Sequence, residues 1–184
     1  MDALPAEDAR RRLAALAAGT TPDVALELFD ALPPLDVADL LGRWRGSGIP
    51  TGHPLDGRLE AAGWYGKRMV STEEVHPLVF RGPGGRLVAV APGRLPLRPL
   101  LRLAPLVPPG FVARAFPLVR PLLVTSRPAA RLRTVEHRGV VSAAMVYDDL
   151  PVVDAFRRVD ERTVLGVMDL RWQEQPYVFA LRRE

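Results

Sequence analysis

The chain contains no cysteine among its 184 residues. That absence excludes disulfide frameworks, thiolate catalysis and cysteine-ligated metal. Lysine is almost missing as well: Lys67 is the only one, and the other 24 of the 25 basic residues are arginine. No uninterrupted apolar run approaches the roughly 20 residues of a membrane-spanning helix. The opening MDALPAEDARRR carries charge where a secretory signal needs an apolar core, so a soluble, cytoplasmic protein is expected. Histidine occurs only at 53, 76 and 137, without HxH or HExxH spacing, so neither a metal nor a resident cofactor is expected. None of the serines sits in a Gly-x-Ser-x-Gly elbow, which removes the commonest signature of a nucleophilic hydrolase.

Acidic residues are missing from one long segment. Between Val75 and Val135 there is no Asp or Glu, while ten arginines fall there; the remainder holds the other 15 basic residues against all 21 acidic ones. A net charge of +4 therefore conceals a basic middle in an acidic frame. Either these arginines pair with the acidic ends of the same fold, or they form a basic face open to an anionic ligand or lipid surface. Nucleic acid is the weaker candidate partner, because Phe80, Phe111 and Phe116 are the only aromatics in the basic segment and each stands in an apolar context.

Most of the remaining chain reads as strand. Gly42, Trp44, Gly46 and Gly48 alternate with Arg43, Arg45 and Ser47, which puts one indole and three glycines on one face of a first strand. Further strands are expected over 64–71, 75–81, 86–91, 131–137, 140–147, 152–158, 163–170 and 177–183, most of them joined by tight turns. The Gly82-Pro83-Gly84-Gly85 link is hairpin chemistry; it lacks the Lys-Ser/Thr and helix of a phosphate loop. Helices are expected at 6–18 and 22–32 and, in short form, from Val37, all placed to close one end of the strand-rich body. From Pro92 to Val124, Leu, Val and Phe are interrupted by seven further prolines after Pro92, which predicts short helices and extended links but no long helix. If helix persists there, Arg94, Arg98 and Arg102 share a face, and the segment is the natural lid over a cavity.

Gly42 to Gly46, followed by PTGHPLDG (Pro50 to Gly57) and GWYGKR (Gly63 to Arg68), resembles the GXWXG-motif domain family of bacterial proteins. The segment YDDLPVVDAFRRVD (Tyr147 to Asp160) resembles the module of unknown function that commonly follows it. Gly-x-Trp after a short amphipathic helix is also similar to the opening of the calycins, the lipocalin, fatty-acid-binding and nitrobindin barrels. These resemblances imply a single domain over 1–184: an antiparallel calycin-like β-barrel of about nine strands with short N-terminal helices (1–40), a GXWXG half (41–91), a proline-rich helical insertion (92–124) and a C-terminal meander half (125–184). In calycins an arginine on the last strand packs across the opening Trp, a role for which Arg182 and Arg183 both qualify, although alternation turns only one inward. Haem binding of the nitrobindin type would need an iron-ligating histidine near the C-terminus, and 138–184 contains none.

A barrel of this size points to a binding protein for a hydrophobic or amphiphilic small molecule, such as a fatty acid with its anionic head at the arginines. An anionic membrane surface is the candidate transient partner, and an enzyme using acid/base chemistry in the same cavity is the alternative. The candidate catalytic residues are Tyr65 and Lys67, at i and i+2 and so on one strand face, with Asp154, a carboxylate on the apolar face of Val152 and Phe156. The candidate ligand contacts are Trp44, His53, Tyr65, Arg68, Arg98, Arg102, Phe111, Arg114, Phe116, Arg120, Tyr147 and Asp154; for His53, in its Gly-His-Pro loop, a local hydrogen bond is the simpler role.

Overall fold

The period-two pattern around Trp44 forms β1 (Gly42–Gly48), with Trp44 buried and Arg43 and Arg45 exposed. The computed structural model, which describes residues 4–184, adds β2 (Trp64–Met69), β3 (Val75–Arg81), β4 (Leu87–Ala89), β5 (Ala130–His137), β6 (Val140–Tyr147), β7 (Val152–Asp160), β8 (Thr163–Leu170) and β9 (Gln173–Arg183). All neighbours are antiparallel, and the order β2-β1-β9-β8-β7-β6-β5-β3 closes on itself through β2–β3 pairing. Eight strands therefore make a closed barrel, and β4 is a ninth strand hydrogen-bonded to the outer half of β3. Closure removes the free sheet edges that an open antiparallel meander would expose. β1 joins β9 and β3 joins β5, so both halves of the chain contribute to one sheet.

The inner face carries Trp44, Met145, Phe156, Phe179 and Leu181, which fill the barrel with side chains. Strands β7 to β9 are apolar outside as well, through Ala155, Val159, Leu165, Val167, Val178 and Ala180. Apolar residues on both faces of a strand need cover on both sides. The helices α1 (Ala6–Leu16) and α2 (Pro22–Ala31) supply it by packing Leu13, Leu28 and Phe29 on the outer wall. The expectation that the N-terminal helices close one end thus holds only for the 3₁₀ turn Val37–Leu40, whose Leu40 meets Trp44 at the base of the barrel.

The barrel is stitched unevenly. β5 and β6 share eight register pairs, whereas β3 and β5 share one, Val75 with Ala130. Beyond that pair the edge of β3 is taken by β4, and the chain then leaves the sheet to cross the mouth. α3 (Arg58–Ala61) is a single turn following β1; α4 (Leu97–Leu103) and α5 (Pro109–Leu123) make the lid. The two ends of the lid are tied together where Ala91 N–H donates to Leu123 O at 2.9 Å and Thr125 N–H to Ala89 O at 3.0 Å.

Two proline expectations are corrected. α5 runs for 15 residues despite Pro117 and Pro121. These prolines stand one turn apart on the exposed side, so the carbonyls of Ala113 and Pro117 that lose their helical partners face water. β9 begins at Gln173, ahead of Pro176, because a register shift opposite Asp169 takes the residue without an N–H out of the regular ladder.

Candidate functional site

Two register shifts in β2, on either side of Gly66, control what enters the barrel. Gly66 has φ +147° and lies so close to the Trp44 carbonyl that a Cβ there would approach its oxygen to 2.0 Å. The bulge inserts an extra residue into the alternation. Trp64 and Lys67 consequently both point inward, the indole lying over Gly46, where any side chain would collide with the ring at 2.3 Å. Tyr65 turns the other way, beneath the Arg81 guanidinium at 5.0 Å, beside the exposed Arg68 and Arg43. The expected shared face of Tyr65 and Lys67 is therefore wrong, since strict alternation does not survive the bulge.

Lys67 is 3% exposed and Asp154 1%. The ammonium donates to Asp154 Oδ2 at 2.7 Å, to the Tyr147 hydroxyl at 3.3 Å and to the Pro77 carbonyl at 3.3 Å, which accounts for all three of its N–H bonds. It also lies 4.9 Å from the centre of the Phe179 ring. The Tyr147 hydroxyl donates to the same Asp154 Oδ2 at 3.2 Å. Among the described residues, none donates to Asp154 Oδ1. Burial, reinforced by the neighbouring Asp154 charge and hydrogen bond, holds the Tyr147 hydroxyl well above the usual phenol range, so it stays protonated.

These groups line an inner cavity of about 80 Å³ together with Trp64, Met168, Tyr177 and Phe179. Above it lies a larger cleft of about 410 Å³, walled by α3, α4, α5 and β3. Leu55, Leu59, Leu78, Leu95 and Leu100 belong to both, so the cleft opens toward the cavity along a shared leucine wall. Apart from Arg58, every residue around the cleft is apolar.

The loop before α3 is built by one carboxylate. Asp56 Oδ2 accepts from the backbone N–H groups of Thr51, Gly52 and His53 at 2.8, 2.8 and 2.9 Å. Within that turn His53 Nδ1 accepts from Leu55 N–H at 3.1 Å, and its ring rests on Tyr177 with centroids 5.4 Å apart. Burial pushes the His53 pKa down to about 4, against a smaller opposing pull from Asp56, so the ring is neutral with its proton on Nε2. The loop thus places Leu55 and Leu59 over the cavity, and His53 serves it as a structural ligand of the backbone.

Residues 27–85 match the GXWXG protein family, and residues 128–183 match a domain of unknown function, DUF4334. A solved crystal structure of a protein from Thermomonospora curvata is 34% identical, with alignment over 96% of this chain and 99% of that one and a TM-score of 0.71. The chain belongs to the GXWXG family. No curated protein matches it.

In this GXWXG barrel the calycin-like resemblance extends to the seal of the base. Arg183, not Arg182, turns inward; its guanidinium stacks 4.4 Å over Trp44 and donates to the carbonyls of Leu41, at 2.6 Å, and Asp39. Trp44 Nε1 donates to Leu40 O at 2.7 Å. Trp44 is therefore a structural plug, remote from the lid.

The arginines expected at the mouth do not converge there. Arg98 lies over Trp172 at 4.4 Å, Arg102 and Arg114 are exposed, and Arg120 is buried with its guanidinium donating to Arg81 O at 2.6 Å. None of the four lines the cleft or the inner cavity. Of the basic segment, Arg131 and Arg133 pair with Asp148 and Glu73. Phe111 does line the cleft, and so does Phe116, which packs on Phe80 at 4.7 Å between centroids. The residue that sequence reasoning missed is Tyr177, and the alternation Tyr177, Phe179, Leu181 already places it inside. Arg58 at the cleft wall was also missed, and a lone arginine in a turn offers no signal of its own.

Proposed function

We propose that the protein binds a hydrophobic or amphiphilic small molecule whose apolar body lies in the cleft under α4 and α5 and whose end reaches the inner cavity. The observation that carries this reading is the cleft itself: about 410 Å³ of almost wholly apolar surface continuing toward a buried polar cluster. Ligand sites typically take this form, with an apolar wall and a few polar groups that fix orientation. Each methylene buried there is worth about 0.8 kcal/mol, so a chain of moderate length is held without any charge contact. The barrel below is filled by its own aromatics, which limits the ligand to the lid end. Mass spectrometry after native purification, followed by displacement of a fluorescent fatty-acid probe, tests it. Ala115→Trp, which fills the cleft, is expected to abolish probe binding while leaving the unfolding midpoint nearly unchanged; undiminished binding would sink the reading.

Loading would proceed at an anionic membrane surface. Leu106, Leu118 and Leu122 are 78, 79 and 75% exposed, alongside Arg102 and Arg114. Apolar side chains interleaved with arginine suit interfacial docking. Among the described residues no helix is long and apolar enough to cross a membrane.

A second reading draws on the Lys67–Asp154–Tyr147 cluster, since a buried carboxylate with an unused oxygen beside a protonated phenol is equipped for proton transfer. Turnover of a cleft-bound substrate that disappears in Tyr147→Phe, with binding retained, would favour an enzyme.

A further inference from the structure

A groove on the outside of the barrel, apart from the lid cleft, gathers arginines that the fold leaves short of counter-charge. Strand β3 separates the two spaces: Leu78 and Phe80 line the cleft, while Val79 between them lines the outer groove. The groove offers about 290 Å³ and shares no wall residue with the cleft. Its wall combines apolar surface from Tyr65, Val79, Leu87 and Val124 with the side chains of Arg43 and Arg68.

Arg43 and Arg68 are register partners on β1 and β2, and both are exposed. Like charges directly opposite one another in an antiparallel pair repel, so this arrangement costs free energy that a bound anion recovers. Glu184 meets the need in part, with its Oε2 2.8 Å from Arg43 Nε. Among the described residues no carboxylate pairs with Arg68, or with Arg81, whose guanidinium stands over the Tyr65 ring. Glu74 approaches His76 Nε2 instead, at 3.8 Å, and is no part of the groove wall. Three guanidiniums thus share one ion-paired carboxylate beside an apolar wall.

We propose that this outer groove binds a phosphate monoester with a compact apolar body, the phosphate between Arg43 and Arg68 and the body on Tyr65, Val79, Leu87 and Val124. A monoester is close to a dianion above neutral pH and accepts hydrogen bonds at several oxygens, which suits two guanidinium forks better than the single charge of a carboxylate. A neutral molecule leaves the repulsion between the arginines in place. At ~30 Å³ per water-sized group the groove has room for about ten such groups, the scale of one aromatic ring with its phosphate. The site does not depend on the amphiphile reading, because no residue of the lid cleft contributes to it.

Isothermal titration calorimetry of the full chain at pH 8 and low salt, with phenyl phosphate, benzoate, phenol and inorganic phosphate, tests the proposal. Wild type is expected to bind phenyl phosphate about tenfold tighter than benzoate or inorganic phosphate, and phenol more weakly still. Arg68→Gln alters an exposed side chain without an ion partner, so folding is preserved and the affinity for phenyl phosphate is expected to fall about tenfold. Leu87→Ser is expected to weaken phenyl phosphate and leave inorganic phosphate unchanged, since it touches the apolar wall alone. Ala115→Trp, which fills the lid cleft, is expected to change none of these affinities. Absence of phenyl phosphate binding by wild type, benzoate or phenol bound as tightly, an affinity indifferent to Arg68→Gln, or a loss of binding in Ala115→Trp would each overturn this assignment. The lid cleft is judged separately by the fatty-acid probe, so either site can fail while the other stands.

Discussion

The two ends of this barrel are built on opposite plans. At the base, Trp44 is enclosed between Leu40 and the Arg183 guanidinium, the indole N–H and both terminal nitrogens of Arg183 are bonded to backbone carbonyls, and β1 is paired on both sides. At the lid end, β3 and β5 touch through one pair, two helices cross the gap, and buried polar atoms remain unmatched. Satisfied groups in a well-packed region raise its opening free energy, while few pairings and exposed apolar helices lower it. Stability is concentrated at the sealed base, and the proposed ligand cleft lies where the sheet is thinnest. The difference has a single topological origin: β3 hands its edge to β4, and the chain must then travel through the lid before it can supply β5.

The contrast can be broken first at the base. Trp44→Ala removes the plug and strands the Arg183 guanidinium, and is expected to cost about 3–5 kcal/mol in urea unfolding, enough to prevent accumulation of folded protein. Asp154→Leu on its own leaves Lys67 buried without its counter-ion and is expected to cost about 3–5 kcal/mol, with most of the loss returned by the added Lys67→Met. A double variant no more stable than the single one would show that the pair is held by something other than mutual compensation.

A gentler probe is pH. The folded His53 pKa of about 4 lies below the ordinary histidine value of about 6.5, so the unfolded chain takes up the proton first as pH falls. Its stabilising effect is complete above pH ~6.5 and lost progressively down to pH ~4, by at most about 3 kcal/mol. His76 and His137 are also pushed down by burial and add in the same direction. The His53→Gln variant should therefore lose less stability between pH 7 and pH 4.5 than wild type; an identical slope would show that His53 is not the group responsible. Tyr147→Phe is expected to cost about 2 kcal/mol, since it removes the buried bond donated to Asp154 and leaves one Lys67 N–H without its acceptor.

The smallest change in stability belongs to the lid surface. Leu118→Ser with Leu122→Ser is expected to shift unfolding by about 0.5 kcal/mol or less, since both side chains are already in water. The same pair should reduce flotation with anionic vesicles and leave binding of a soluble probe in the cleft intact. Unchanged flotation would mean that the lid does not dock through this face.

The sequence by itself determined the strands, the two N-terminal helices, the lid segment and the family, because alternation, caps and the glycine-tryptophan motif are local signals. It also placed Asp154 on an apolar face, where the structure finds it 1% exposed. What only the tertiary structure decided was the partnership. Lys67 and Asp154 are 87 positions apart, and their meeting depends on a bulge at Gly66 that no periodicity reveals. The choice of Arg183 over Arg182, the 15-residue helix through two prolines and the diversion of the lid arginines away from the cavity were settled in the same way. Each depends on which surface another element leaves uncovered, a property of the closed barrel, and local residue order carries no term for it.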